Sequence, residues 1–117
     1  MTRYRKGYMF EREVKLILES HGYYVMRSAG SKGLFDLFFL SSRNNLMQLK
    51  NGSKISKKEK LIIENFAQKN LSNIKDLKIF ILTKIKKEIT LEEYVFFNNH
   101  GRWFRNVYKD LSEIDIS

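Results

Sequence analysis

Cysteine and proline are both absent from the 117-residue sequence. Without cysteine there are no disulfides and no thiolate metal sites, which agrees with a reducing intracellular setting. Without proline, the ends of helices and strands must be read from glycine, asparagine and serine, and glycine itself occurs only 6 times. Long apolar runs are missing too. The opening MTRYRKGYMFEREVK has no signal-peptide core, and no segment approaches the ~20 apolar residues of a membrane span. The expectation is a cytoplasmic protein with no membrane partner. A charged membrane surface would require a helix strongly basic on one face, and none of the expected helices has one.

Positive charge, by contrast, is abundant. Twenty-two lysines and arginines against 13 acids give a net charge of +9. Such a surplus attracts anionic polymers, with nucleic acid as the leading class. Hydrophobic residues at 43% and aromatics at 14% supply a core despite the 30% charged content, which excludes general disorder. The length fits one compact domain, so residues 1–117 are expected to form a single unit, without repeat, low-complexity block or linker.

Phe10, Val14, Ile17, Leu18 and His21 recur at helical spacing, and Gly22 ends the pattern. In that helix Glu11 falls at the edge of the apolar stripe, away from the solvated face of Arg12 and Glu19. YYVMR, residues 23–27, reads as a strand and SAGSKG as a loop. LFDLFFL, residues 34–40, reads as a central strand apolar on both faces. SSRNN turns into LMQLK, residues 46–50, giving an antiparallel hairpin in which Gln48 and Lys50 share a face. Ser56 and Glu59 form a capping box for a second helix reaching about Asn70, with Ile62, Ile63, Phe66 and Ala67 inward. KIFILTKI is another buried strand. ITLEEYVFFNN fits either a helix capped at Thr90 or a strand, and GRWFRNVY reads as a strand. The fold class is therefore α/β, a central mixed β-sheet flanked by helices.

Asp36 is the only charge in its apolar segment, and a lone acid there carries a desolvation cost unless a cation or donors compensate. Lys50 alone would do so as a structural ion pair. A richer reading joins Glu11, Asp36, Gln48 and Lys50. They supply oxygens for a hard divalent cation and an ammonium for water or phosphate, the combination that phosphodiester hydrolysis needs. Plainer roles compete: Glu11 suits a solvated acid near a helix N-terminus as well as a ligand. His21 reads as a core or capping residue and His100 as a turn residue. Phe38, Phe39, Phe96, Phe97 and Trp103 read as core or dimer surface.

Basic residues gather in three groups: Arg3, Arg5 and Lys6; Arg27 and Lys32; then Lys54, Lys57, Lys58 and Lys60. Charged runs are usually solvated faces. These flank the acid and lysine in sequence, and the second helix opens with its positive dipole end among lysines, which suits phosphate. A phosphate-tracking surface is expected, with limited sequence preference and steep salt dependence.

The run RKGYMFEREVKLILESHGYYVMRSAGSKGLFDLFFL, taken with MQLK, resembles the PD-(D/E)XK nucleases, and within them the archaeal and archaeal-virus Holliday-junction resolvases. The resemblance covers residues 5–50 and implies a restriction-endonuclease-like core. It further implies a Mg2+-dependent endonuclease, with Mn2+ able to substitute, that resolves four-way junctions in branched double-stranded DNA by paired symmetric nicks. Two symmetric cuts imply a homodimer. By the same resemblance Asp36 is the central metal ligand, and Glu11 binds the metal directly or through water. Gln48 takes the remaining ligand position, Lys50 is the catalytic lysine, and Ser31 belongs to a mobile loop near the scissile phosphate. Two positions depart from the pattern. Phe35 replaces the proline of the motif, and Gln48 replaces an acid, which removes a negative charge and implies weaker metal affinity. A different DNA substrate, as in homing-type or general structure-specific nucleases, is one alternative. A junction-binding protein without catalysis is another, and an RNA-binding module would lack its aromatic strand motif.

Overall fold

The computed structural model describes residues 3–28, 33–98 and 100–116, with the backbone alone for residues 3–6. The chain runs α1 (Arg3–Ser20), β1 (Tyr24–Arg27), β2 (Leu37–Leu40), β3 (Asn44–Asn51), α2 (Lys57–Asn70), β4 (Leu77–Ile85), β5 (Glu88–Phe97) and β6 (His100–Tyr108), then a 3-10 turn at Leu111–Glu113. The strands form one sheet in the order β1-β2-β3-β4-β5-β6. Every neighbouring pair is antiparallel except β3 and β4, which are parallel because α2 carries the chain back between them. The expected α/β class, a mixed sheet flanked by helices, is what forms.

Burial explains the order. Successive side chains of a strand point to opposite faces, so a strand covered on both sides must be apolar throughout. In β4, Phe80 and Leu82 face the core built with Phe10, Val14 and Leu18 of α1, while Ile79 and Ile81 face Ile63 and Ala67 of α2. Each such fully buried side chain stabilises the fold by about 1.5–3 kcal/mol, which places β4 at the centre. The 3-10 turn and the residues after it add Leu111, Ile114 and Ile116 to the α1 side.

Several boundaries differ from expectation. Helix α1 begins at Arg3, so the basic residues Arg3, Arg5 and Lys6 open a helix that has no acid in its first turn. Strand β2 covers only Leu37–Leu40 and lies second from the sheet edge with Leu40 exposed, so the central strand covered on both faces that residues 34–40 were expected to form is instead β4. Leu34 and Phe35 leave the ladder to pack on the α2 side, where Phe35 meets Phe66 edge-on at 5.2 Å. Ser56 caps α2 as expected, but Ile62 is exposed because Ile63 and Ala67 set the buried stripe. Residues 89–97 of ITLEEYVFFNN form a strand, paired with β4 as far as Tyr94 and with β6 throughout. His21 lies just past α1, exposed against Tyr23, and His100 is the first residue of β6. Phe39 is core, Phe96 and Trp103 pack beside α2, and Phe97 is 73% exposed. No helix among the described residues is long and apolar enough to cross a membrane.

Candidate active site

Antiparallel register brings the polar residues together at one end of the sheet. Leu37 pairs with Met47. One step earlier, Asp36 therefore lies beside Gln48, and its N–H donates to the Met47 carbonyl at 2.9 Å. Alternation along β3 sends Met47 and Leu49 into the α1-side core and leaves Gln48 and Lys50 on the α2 side. In the parallel register Gln48 aligns with Ile81 and Lys50 with Thr83, so the cluster sits at the carboxyl ends of the two parallel strands. That end of an open α/β sheet is where ligands generally bind.

The Leu49 N–H donates to Asp36 Oδ2 at 2.7 Å. Burial pushes the Asp36 carboxyl above the usual aspartate range, the Leu49 N–H opposes this, and Glu11 adds to the rise. Lys50 lowers it and Glu59 raises it, so all three charges act on Asp36. Lys50 is not the ion-pair partner of Asp36. Its Nζ sits 2.7 Å from Glu59 Oε2, in the first turn of α2. Hydrogen bonding to Lys50 in turn holds the Glu59 carboxyl below its ordinary value. From the sequence alone, Glu59 reads only as a helix cap. The missed signal was that a capping acid just after β3 is also within reach of a lysine ending that strand.

Glu11 reaches the cluster from the α1 side. Arg27 Nε donates to Glu11 Oε1 at 2.7 Å, and this bond keeps the guanidinium above its usual range. Arg27 also lies 4.6 Å from the centre of the Tyr8 ring. It is thus engaged with α1 in this structure, where the sequence had cast it as a phosphate contact.

The family profile described as archaeal Holliday junction resolvase (Hjc) matches residues 2–100. The chain belongs to that family. A relative from Methanocaldococcus jannaschii, the crossover junction endodeoxyribonuclease Hjc, is 62% identical over 32 residues, which is 27% of this chain. The match spans 24% of that relative's length.

Within this resolvase-family chain, the restriction-endonuclease-like core accounts for the sheet and its two helices. The donor set suits a hard cation. Asp36 Oδ1 and the Gln48 amide make no hydrogen bonds among the described residues, so each offers an open oxygen. No three acids or histidines among the described residues are grouped tightly enough to hold a metal by themselves. Mg2+ does not need such a cage, because it keeps several waters and binds through one or two carboxylates plus substrate phosphates. The other expected site residues are more scattered. Ser31 and Lys32 lie outside the described residues, as do the side chains of Arg3, Arg5 and Lys6. Lys54, Lys57 and Lys58 are exposed around the start of α2. Lys54 and Lys57 line a cleft of about 290 Å³ with Lys60, Thr83 and Arg105, next to the Lys50–Glu59 pair in the strand register.

Proposed function

We propose that this resolvase-family chain cuts four-way DNA junctions by paired symmetric nicks, with Mg2+ as its cofactor and Mn2+ able to substitute. The reading rests on Asp36, Gln48 and Lys50 standing together at the carboxyl ends of β3 and β4, with the lysine-bearing start of α2 beside them. Asp36 and Gln48 would hold the cation, with Glu11 acting on Asp36 from the α1 side. When bound, the metal supplies charge stabilisation for the phosphoryl transition state and a more acidic water. Lys50 orients or deprotonates the attacking water, and its ammonium favours the charge that builds on phosphate. Exposed lysines 54, 57 and 58 track the backbone, as do Arg3, Arg5, Lys6 and Lys32, while Ser31 approaches the scissile phosphate.

The whole chain acts as one nuclease domain inside the cell, and two copies act together because a four-way junction needs two symmetric cuts. Phe97 and Phe104 are exposed on the side of the sheet that carries α1 and lie at its β5–β6 end, the apolar surface we assign to the second copy. The deciding experiment is cleavage of a labelled four-way junction with Mg2+ or Mn2+, comparing wild type with Asp36→Asn and Lys50→Ala. Paired symmetric nicks that disappear in both variants and in EDTA are expected. Gln48 motivates a second reading, a junction-binding protein without catalysis. Tight binding with no metal-dependent cutting, unrestored by Gln48→Glu, would establish it instead.

A further inference from the structure

Gln48 leaves the site one carboxylate short, yet the Lys50 ammonium is not left without an acid. Glu59 Oε2 stands 2.7 Å from Lys50 Nζ, and Glu59 Oε1 accepts from the Ser56 hydroxyl at 3.1 Å. The Ser56 hydroxyl oxygen in turn accepts from the Glu59 N–H at 3.1 Å, which orders the first turn of α2 that carries Glu59. Gln48 and Lys50 point to the same α2-facing side, so Glu59, reaching Lys50 from α2, approaches the face of β3 that an acid at position 48 would share.

We propose that Glu59 is a positioning residue that replaces, from the first turn of α2, the carboxylate missing at Gln48. It holds Lys50 in place and restores the negative charge that favours a divalent cation at Asp36. The inference rests on the nuclease reading of the same cluster. A capping role alone makes a different prediction, because glutamine fills the third position of a capping box as glutamate does. Glu59→Gln therefore removes the charge and keeps the helix start.

The experiment measures two quantities for wild type, Glu59→Gln and Glu59→Gln with Gln48→Glu. One is Mn2+ affinity of the metal-free protein by calorimetry, and the other is the single-turnover rate of junction cleavage. Glu59→Gln is expected to lower both about tenfold, the scale of outer-shell losses at metal sites, with the protein still folded and only a small drop in melting temperature from the lost pair with Lys50. Gln48→Glu added to it is expected to restore both. Wild-type affinity in Glu59→Gln, or a loss that Gln48→Glu does not repair, overturns the proposal. Asp36→Asn separates the two ideas: if wild type neither cuts nor binds Mn2+ more tightly than Asp36→Asn, the nuclease reading fails, and Glu59 falls with it. Cutting that depends on Asp36 but ignores Glu59 sinks the Glu59 assignment alone.

Discussion

In the metal-free protein the Asp36 carboxylate is held at an energetic disadvantage. Burial is the largest cause, Glu11 and Glu59 add to it, and the Leu49 N–H and Lys50 offset it only in part. The folded chain therefore binds the Asp36 proton more tightly than the unfolded chain does. Charging the group costs stability as pH rises from the ordinary value of 3.8 through the raised one, and the cost persists at neutral pH. Asparagine keeps an oxygen for the Leu49 N–H and carries no charge. In EDTA at pH 7.5, Asp36→Asn should melt higher than wild type by about 3 °C, the scale of a single stabilising substitution in a domain of this size. The two melting curves should converge near pH 4. An unchanged or lower melting point at pH 7.5 would show that the carboxylate is not strained. The same cluster shows what was readable early. Asp36, Gln48 and Lys50 were legible because alternation along a strand fixes which side chains share a face. The Glu59 partner of Lys50 was not, because it depends on where α2 lands after the chain leaves the sheet.

Between elements, the β5–β6 pairing turns on one small residue. A Cβ on Gly101 would fall on the phenol of Tyr94, a residue 3% exposed whose ring packs at a tilt against Trp103 at 4.9 Å. The Tyr94 hydroxyl also accepts from Gln68 Nε2 at 3.2 Å, so the ring cannot move without disturbing α2. Gly101→Ala should cost about 2 kcal/mol, within the range for overpacking, read as a lower urea midpoint. A wild-type midpoint would mean that the ring yields freely. These C-terminal strands were the least legible part of the chain. The β4–β5 hairpin turns through Lys86 at φ 59°, without the Asn-Gly or Asp-Gly pair that marks such turns. In β5, Glu92 and Glu93 interrupt the apolar alternation, and each finds a lysine from another part of the fold, Lys60 and Lys78. Antiparallel pairing with β4 on one side and β6 on the other makes a strand of a stretch that locally fits a helix equally well.

For the whole molecule, the charge of +9 makes DNA affinity a function of salt. Lys54, Lys57 and Lys58 are exposed at the start of α2, beside the candidate site. Replacing all three with alanine should weaken junction and duplex binding alike. It should also make the salt dependence shallower by about 3 in log–log slope, about 1 for each phosphate contact removed. Binding titrations at several salt concentrations check this, and an unchanged slope would exclude the three lysines from the phosphate surface.

Local geometry was enough to settle much of this protein from its sequence: the stripe of α1, the Ser56–Glu59 cap, the burial of the β4 segment and the shared face of Gln48 and Lys50. Each depends on backbone periodicity or on hydrogen bonds spanning a few residues. The tertiary structure alone decided that β3 and β4 run parallel, that Arg27 turns to Glu11, and that Lys50 turns to Glu59. An ion pair forms with whichever opposite charge the packing brings within a few ångströms, and that depends on how elements cross, which no local pattern encodes.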